Sequence, residues 1–189
     1  MTKIKKWTTI NSRFVIDNQW CKVRQDKIQL SNGKIIDDYF VNLRPDIALI
    51  LPITPNQEIV FVRQYRHGVQ EILLELPAGT FNSQKEDSLK AAKRELLEET
   101  GYTASKFTQI AMLYDNPVKD SNKIYLFVAE DATYCDQQRL DETEEIEVVI
   151  IPITQIKEKI NQGEICVCGS VTAILLGLDF LTRIQSIKN

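Results

Sequence analysis

The stretch from Leu76 to Tyr102, LPAGTFNSQKEDSLKAAKRELLEETGY, constrains this chain more than any other. A loop containing Pro77-Ala78-Gly79 leads to Asp87, a residue type that accepts hydrogen bonds from the free amides of a first helical turn. Residues 88–100 are all compatible with a helix, and Gly101 follows where a left-handed residue commonly ends one. The stretch therefore predicts a loop, a helix over 88–100 and a glycine stop.

Three carboxylates cluster on this predicted helix. At about 100° per residue, Glu95, Glu98 and Glu99 fall within an arc of about 100°. Glu95 and Glu99 form an i,i+4 like-charge pair, which destabilises an isolated helix by about 0.2–0.5 kcal/mol. A divalent cation would remove that cost and use the oxygens as ligands; the alternative is a solvated face on which Glu98 pairs with Arg94. The apolar stripe, on a different side, is expected to consist of Leu89, Ala92 and Leu96.

Composition narrows the class of protein. With 189 residues, 43% hydrophobic and 26% charged, the chain suits one soluble domain with a modest extra element. A net charge of −3 gives no basic footprint, so we expect no nucleic-acid partner. We find no apolar run of membrane-span length and no secretion signal, and therefore expect a cytoplasmic protein with no membrane partner. The four scattered cysteines are then expected to be reduced thiols.

The order of predicted elements indicates an α/β layered domain behind a small β-sheet. Residues 1–43 alternate in strand fashion, and Asn32-Gly33 between two such runs predicts a hairpin. Residues 44–189 then mix strands with helices, two of which are expected to be capped by Thr154 and Ser170. The strands of this second region are expected at 47–53, 58–65, 107–114, 123–129 and 147–153, the first of them buried on both faces.

The carboxylate helix and its neighbours resemble the signature of the Nudix hydrolases, G-x5-E-x7-R-E-U-x-E-E-x-G-U with U apolar. The run from Arg94 to Tyr102, RELLEETGY, matches the second half, and Glu86 precedes Arg94 at the motif spacing. Six residues instead of five separate Gly79 from Glu86, which predicts a longer loop before the helix.

Two further segments are similar to the ADP-ribose pyrophosphatase branch of that family: 63–66 (RQYR) with 75–79 (ELPAG), and 170–173 (SVTA). The resemblance covers roughly residues 44 to 189. It implies a Nudix-type α/β/α sandwich with a mixed sheet and Mg²⁺-dependent hydrolysis of ADP-ribose to AMP and ribose 5-phosphate, with Mn²⁺ able to substitute. The N-terminal sheet resembles the extra element with which this branch forms a swapped homodimer.

Pyrophosphate chemistry explains why carboxylates are needed. A site lined by carboxylates binds a negatively charged substrate only when cations neutralise the charges of the carboxylates and of the substrate. Such cations also lower the pKa of the attacking water. We expect Glu95 and Glu99 to be the first metal ligands and Glu98 the next, with Glu98 also a candidate catalytic residue. The resemblance adds the carbonyl of Ala78 as a ligand.

The remaining motif residues are expected to be structural. They are Gly79, Glu86, Arg94 and Gly101. By the helical wheel Arg94 points away from the carboxylates, and the resemblance implies that it holds the loop.

A general base is also required. The resemblance implies a glutamate from the acidic loop 141–145, and its pattern favours Glu144 and then Glu142. Arg66 and, less strongly, Arg63 are candidates for contacts with substrate phosphates. Glu75 is expected to bind substrate or metal, or to pair with Arg94.

Three functions other than ADP-ribose hydrolysis are open, and each would be recognised by a different feature. GDP-mannose or another nucleoside diphosphate sugar would use the same carboxylates, and only the base and sugar pockets would differ. A non-catalytic nucleotide-sensing Nudix module would be expected to lack metal carboxylates, which this chain retains. An RNA-decapping enzyme would require a basic groove, which the composition does not indicate.

Overall fold

The computed structural model describes residues 4–188, which form two compact units. One unit combines the described residues up to Pro45 with Tyr114–Lys123. The other combines Asp46–Leu113 with the described residues from Ile124 onward. No helix of the described chain is long and apolar enough to cross a membrane.

The first unit contains an antiparallel sheet of three strands in the order β1-β2-β3. Asn32-Gly33 forms the predicted hairpin turn, where Gly33 has φ 86° and Asn32 Oδ1 accepts from the Lys34 N–H at 3.0 Å. The strands are β1 (Thr8–Asp17), β2 (Lys22–Gln29) and β3 (Ile35–Asn42).

The second unit is built on a mixed sheet. Its first two strands begin as a hairpin, but only Ile53 and Ile59 pair before the strands diverge. This divergence leaves the first strand free to pair with two later strands, one of them in parallel. The strands are β4 (Asp46–Ile53), β5 (Glu58–Arg66), β6 (Glu71–Glu75), β7 (Ala78–Phe81), β9 (Lys106–Tyr114), β10 (Lys123–Glu130) and β12 (Ile146–Pro152), with a ribbon of β8 (Tyr102–Thr103) and β11 (Thr133–Tyr134). The order is β12-β5-β4-β10-β9, with β6 on β5 and β7 on β4.

Helices cover both faces of this sheet, which is the expected α/β/α sandwich. They are α1 (Ser88–Thr100), α2 (Ile153–Asn161) and α3 (Cys168–Lys188). Alternate residues of β4 face opposite layers: Ala48 and Ile50 belong to the core with α1, while Leu49 and Leu51 belong to the core with α3. The strand is therefore buried on both faces, as predicted.

Two predicted helix caps are wrong. α2 begins at Ile153 with Pro152 before it, so Thr154 lies inside the helix. α3 begins at Cys168, and Ser170 lies in its first turn, where its Oγ accepts a hydrogen bond from the Leu76 N–H at 2.9 Å. Ser170 therefore anchors the chain just ahead of Pro77 and β7 instead of capping its own helix. Ala78 and Gly79, predicted to lie in a loop, belong to β7 because they pair with β4.

Candidate active site

Helix α1 has the predicted bounds and caps. Asp87 accepts from the Lys90 N–H at 2.9 Å, and Gly101, with φ 74°, donates to the Leu97 carbonyl at 2.8 Å. The extended Asp87 and left-handed Gly101 define where the helix starts and stops. The helix is thus fixed at both ends by its own sequence.

The buried face of α1 differs from the predicted apolar stripe. Leu89 is exposed, whereas Glu95 and Glu99 are only 9% and 5% exposed. They share the buried side of the helix with apolar residues, so the prediction that carboxylates and apolar residues occupy different sides is wrong. The buried residues of the helix are Ala91, Ala92, Glu95, Leu96, Glu99 and Thr100.

The two buried carboxylates lie against the backbone of β7. Ala78 donates its N–H to Glu99 Oε2 at 3.0 Å. A Cβ added at Gly79 would lie 1.9–2.1 Å from the carboxylate atoms of Glu95. Glycine is therefore required here to make room for Glu95, and the motif brings its glycine and its glutamates together.

Burial makes these carboxylates reluctant to ionise. The pKa of Glu99 is raised to about 8, chiefly by burial and also by the charges of Glu95 and Glu144, against the opposing hydrogen bond from the Ala78 N–H. Burial also raises the pKa of Glu95, although the Arg94 guanidinium opposes that shift. Removing a carboxylate from water disfavours its charged form. The pocket is therefore one in which a cation would be strongly favoured.

Arg94 contacts the carboxylates instead of pointing away from them. Its Nη1 lies 2.7 Å from Glu95 Oε1 and 3.0 Å from Glu98 Oε2. Its Nε and Nη2 lie 3.3 Å and 3.1 Å from the two oxygens of Glu86. The wheel-based expectation for Arg94 is wrong because its long side chain reaches Glu98, one turn along the helix, and also the neighbouring Glu95. Despite the extra residue before it, Glu86 reaches Arg94.

The donor set suits a hard divalent cation, since it consists of carboxylate oxygens beside a backbone strand. As the side chains stand, no three His, Cys, Asp or Glu residues between positions 4 and 188 converge as a ready metal site. The reason is visible in the contacts: Glu95 and Glu98 both turn toward Arg94. The residues fit a cation if these two carboxylates exchange the guanidinium for it.

The segment just before the acidic loop contacts the backbone of α1. Gln138 Nε2 donates to the Glu99 carbonyl at 2.6 Å, and the Arg139 N–H donates to the Glu98 carbonyl at 2.8 Å. Glu144 accepts from the Asp141 N–H at 3.0 Å, and its charge acts on both buried carboxylates. The charge of Glu144, the candidate base, therefore raises the pKa values of Glu95 and Glu99.

Glu142 has a different environment. Its side chain is exposed and makes no hydrogen bond or ion pair within residues 4–188. Nothing in its contacts therefore ties Glu142 to the buried carboxylates.

The arginines expected near substrate have carboxylate partners. Arg66 Nη2 lies 2.6 Å from Oε2 of buried Glu75, and its charge is felt at Glu99, whose pKa it lowers. Glu75 therefore pairs with Arg66, and the alternative pairing with Arg94 is wrong. Arg63 instead pairs at 2.8 Å with exposed Glu147 on β12.

Two residues that position the site lacked a clear sequence signal. Ser170 was expected to be a helix cap. Gln138 lies in a polar loop, where nothing in the sequence distinguishes it from a solvent-exposed glutamine. Both act by bonding backbone groups distant in sequence, at Leu76 and Glu99 respectively. Such contacts follow from the fold, and spacing alone does not reveal them.

Family models match most of the chain. Residues 43–166 match the NUDIX domain, and residues 7–42 match the nucleoside diphosphate sugar hydrolase N-terminal domain. The chain is 31% identical over 158 residues to the ADP-ribose pyrophosphatase of Bacillus subtilis, covering 83% of this chain and 84% of that protein. It is 30% identical over 126 residues to the GDP-mannose pyrophosphatase of Cronobacter sakazakii, covering 62% and 65% of the two chains.

A solved structure agrees with these matches. The crystal structure of an ADP compounds hydrolase superposes with a TM-score of 0.85 at 25% identity, covering 97% of this chain and 98% of that one. The motif, the sandwich fold and the family model over residues 43–166 agree. The chain belongs to the Nudix hydrolase family.

Proposed function

We propose that the enzyme hydrolyses the pyrophosphate bond of ADP-ribose, giving AMP and ribose 5-phosphate. The observation that carries the proposal is the pair of buried carboxylates, Glu95 and Glu99, packed against the Ala78–Gly79 backbone. The similarity to an ADP-ribose pyrophosphatase over most of both chains supports the substrate.

We assign Glu95, Glu99 and Glu98, with the Ala78 carbonyl oxygen, as the groups that hold Mg²⁺ or, in its place, Mn²⁺. When bound, the ion neutralises substrate phosphate charge and acidifies the water nucleophile. Burial suits Glu99 to this role. Its pKa of about 8 means that the buried carboxylate is not fully stabilised by positive charge or hydrogen bonds, and a cation would supply that stabilisation. Binding a cation and releasing a proton are therefore linked at this residue.

Glu144 is our choice of general base, with Glu142 the second candidate. Glu144 is exposed and electrostatically coupled to both buried carboxylates, so its carboxylate is available to a water in the site. It accepts a proton as water attacks one phosphorus and the bond from that phosphorus to the bridging oxygen breaks. Glu98, close to Arg94 and half-buried, remains a further catalytic candidate.

Arg66 is proposed to contact a substrate phosphate while Glu75 fixes its position. The Arg66 guanidinium already influences Glu99, and its pairing with buried Glu75 limits its rotamers. Arg63, paired on the surface with Glu147, is a weaker candidate for the same role. Planar guanidinium groups bind phosphate through two parallel hydrogen bonds.

The motif residues outside the ligand set are proposed to hold the geometry. Gly79 makes room for Glu95, and Gly101 ends α1 while its carbonyl accepts from Cys135 and Asp136. Glu86 and Arg94 together orient the neighbouring carboxylates.

A second candidate substrate is GDP-mannose, favoured by the similarity to a GDP-mannose pyrophosphatase. The same carboxylates would serve either substrate. A panel of nucleoside diphosphate sugars, compared by kcat/KM with Mg²⁺, separates the two. We expect ADP-ribose to be preferred; preference for a GDP-sugar would overturn the substrate while leaving the reaction type. No turnover of any member would favour the sensing module.

We also propose that the enzyme is a homodimer assembled through its N-terminal sheet. All of β1 is exposed in the single chain, including Phe14 at 52% and Ile10 at 49%. A strand that exposes Phe14, Val15 and Ile16 side by side is unusual for a monomer and is typical of an interface.

A further inference from the structure

The segment between Gly79 and Glu86 contains a compact turn centred on Asn82. The Asn82 side-chain Oδ1 accepts from the Gln84 N–H at 2.9 Å. Its backbone carbonyl accepts from the Lys85 and Glu86 N–H groups at 2.8 Å and 2.9 Å. One residue therefore accepts three bonds from the next four, and this turn accommodates a segment one residue longer than the motif has.

The turn determines where Glu86 lies. The Glu86 N–H is bonded to Asn82, and its side chain reaches across to Arg94 with both oxygens. The Glu86 carboxylate that pairs with Arg94 therefore belongs to the last residue of the Asn82 turn. A change in the turn should therefore be transmitted directly to the contact with Arg94.

Arg94 divides its nitrogens between two roles. Nε and Nη2 are occupied by Glu86, which leaves Nη1 for Glu95 and Glu98. Because Glu95 and Glu98 are assigned as metal ligands, Arg94 competes with the cation for them. Glu86 weakens this competition, since it holds two of the three guanidinium nitrogens and neutralises the charge.

We infer that Asn82 is a positioning residue for the cation site, acting through Glu86 and Arg94. The inference rests on the proposed metal site. With the turn intact, Glu86 holds the Arg94 guanidinium in place. The cation then displaces only Arg94 Nη1 from the carboxylates of Glu95 and Glu98. When the turn is loosened, Glu86 no longer holds Arg94. The guanidinium then binds Glu95 and Glu98 more strongly, and the cation binds them more weakly.

The test is Mg²⁺ affinity measured by titration calorimetry on chelator-stripped protein without substrate. Glu86→Gln is expected to weaken binding about tenfold, the lower end for a residue behind a metal ligand. Asn82→Ala is expected to weaken it several-fold, in keeping with the loss of one hydrogen bond. Asn82→Asp keeps the acceptor oxygen and should restore affinity close to that of the unsubstituted protein.

A matched control and a double variant distinguish positioning from general loosening. Asn32→Ala removes the same kind of bond, from Oδ1 to the N–H two residues later, in the N-terminal hairpin and should leave Mg²⁺ affinity unchanged. The double variant Asn82→Ala/Glu86→Gln should bind no worse than Glu86→Gln alone, because both act through one contact. The unfolding midpoint of metal-free Asn82→Ala should match that of Asn32→Ala.

Two outcomes would overturn the inference: unchanged Mg²⁺ affinity in Asn82→Ala, or fully additive losses in the double variant. Either result would leave the proposed metal site standing if the unsubstituted protein binds Mg²⁺. Failure of the unsubstituted protein to bind Mg²⁺ would instead remove the proposed function and this inference with it.

Discussion

At the scale of single residues, Glu99 links protonation to folding. Burial raises its pKa to about 8 in the metal-free protein, so the folded state holds a proton that the unfolded state releases near its usual value of 4.5. A carboxyl group whose pKa is higher in the folded state than in the unfolded state contributes to the free energy of unfolding. That contribution is fully present below the pKa of the unfolded state and is lost as the pH rises through the pKa of the folded state.

We therefore predict that metal-free protein loses thermal stability between pH 5 and 9 and that Glu99→Gln loses less. The amide stays neutral throughout, so the difference between the two melting curves isolates Glu99. Added Mg²⁺ should raise the Tm of the unsubstituted protein more at pH 9 than at pH 6, since cation and proton compete. Parallel pH profiles for the two proteins would contradict the assignment.

Gly79 tests the packing of Glu95 against the backbone. In Gly79→Ala the new Cβ would overlap the Glu95 carboxylate, whose flexible end must move away. We predict a loss of Mg²⁺ affinity of about tenfold or more with a nearly unchanged Tm. Gly68→Ala is the control, because a Cβ there has no atom within 4 Å. Equal Mg²⁺ affinities in the two variants would show that Glu95 does not need this space.

At the scale of elements, α3 holds the loop before Gly79 through one buried side chain. Ser170 Oγ accepts the Leu76 N–H, and no other residue of α3 offers this contact among the described hydrogen bonds. We predict that Ser170→Ala lowers the unfolding free energy by about 1–3 kcal/mol, since a buried N–H loses its partner. Ser186→Ala, further along the same helix and exposed, should cost less than half as much in denaturant titrations. A reversed ranking would reject the role of Ser170.

Local sequence determined some elements almost completely. α1 was predicted to the residue because its N-cap and its glycine stop both lie within the stretch itself. The hairpin at Asn32-Gly33 was equally local. The predicted cap at Thr154 was wrong because α2 begins one residue earlier, at Ile153, directly after Pro152. The predicted cap at Ser170 was wrong because a tertiary contact takes its side chain, which bonds Leu76, 94 residues away in sequence.

The residues of the candidate site come from the sequence motif, but the contacts between them do not follow from it. A helical wheel separated carboxylates from apolar residues, yet Glu95 and Glu99 are buried because β7 packs against that side of α1. The wheel also directed Arg94 away from residues it contacts. Which carboxylate pairs with which arginine depends on the neighbouring strand, as Glu75 and Arg66 show, and spacing along the chain carries no such information.

At the scale of the whole molecule, the exposed β1 strand predicts association. We expect a solution mass of twice the 21.7 kDa chain at micromolar concentration. Phe14→Asp should shift the mass toward a monomer, because it replaces an exposed aromatic ring on the strand with a negative charge. Lys34→Asp, in the exposed hairpin loop, should leave the mass unchanged. A monomeric mass for the unsubstituted protein would rule out the proposed dimer.

The measurement that tests the account most directly is the rate of AMP release from ADP-ribose with Mg²⁺, compared between the unsubstituted protein and Glu99→Gln. Glu158→Gln, exposed on α2, serves as the matched control. We predict that Glu99→Gln loses most of the activity while its fold stays intact and that Glu158→Gln keeps full activity. Unchanged turnover in folded Glu99→Gln would contradict the assignment of the buried carboxylates as the metal site.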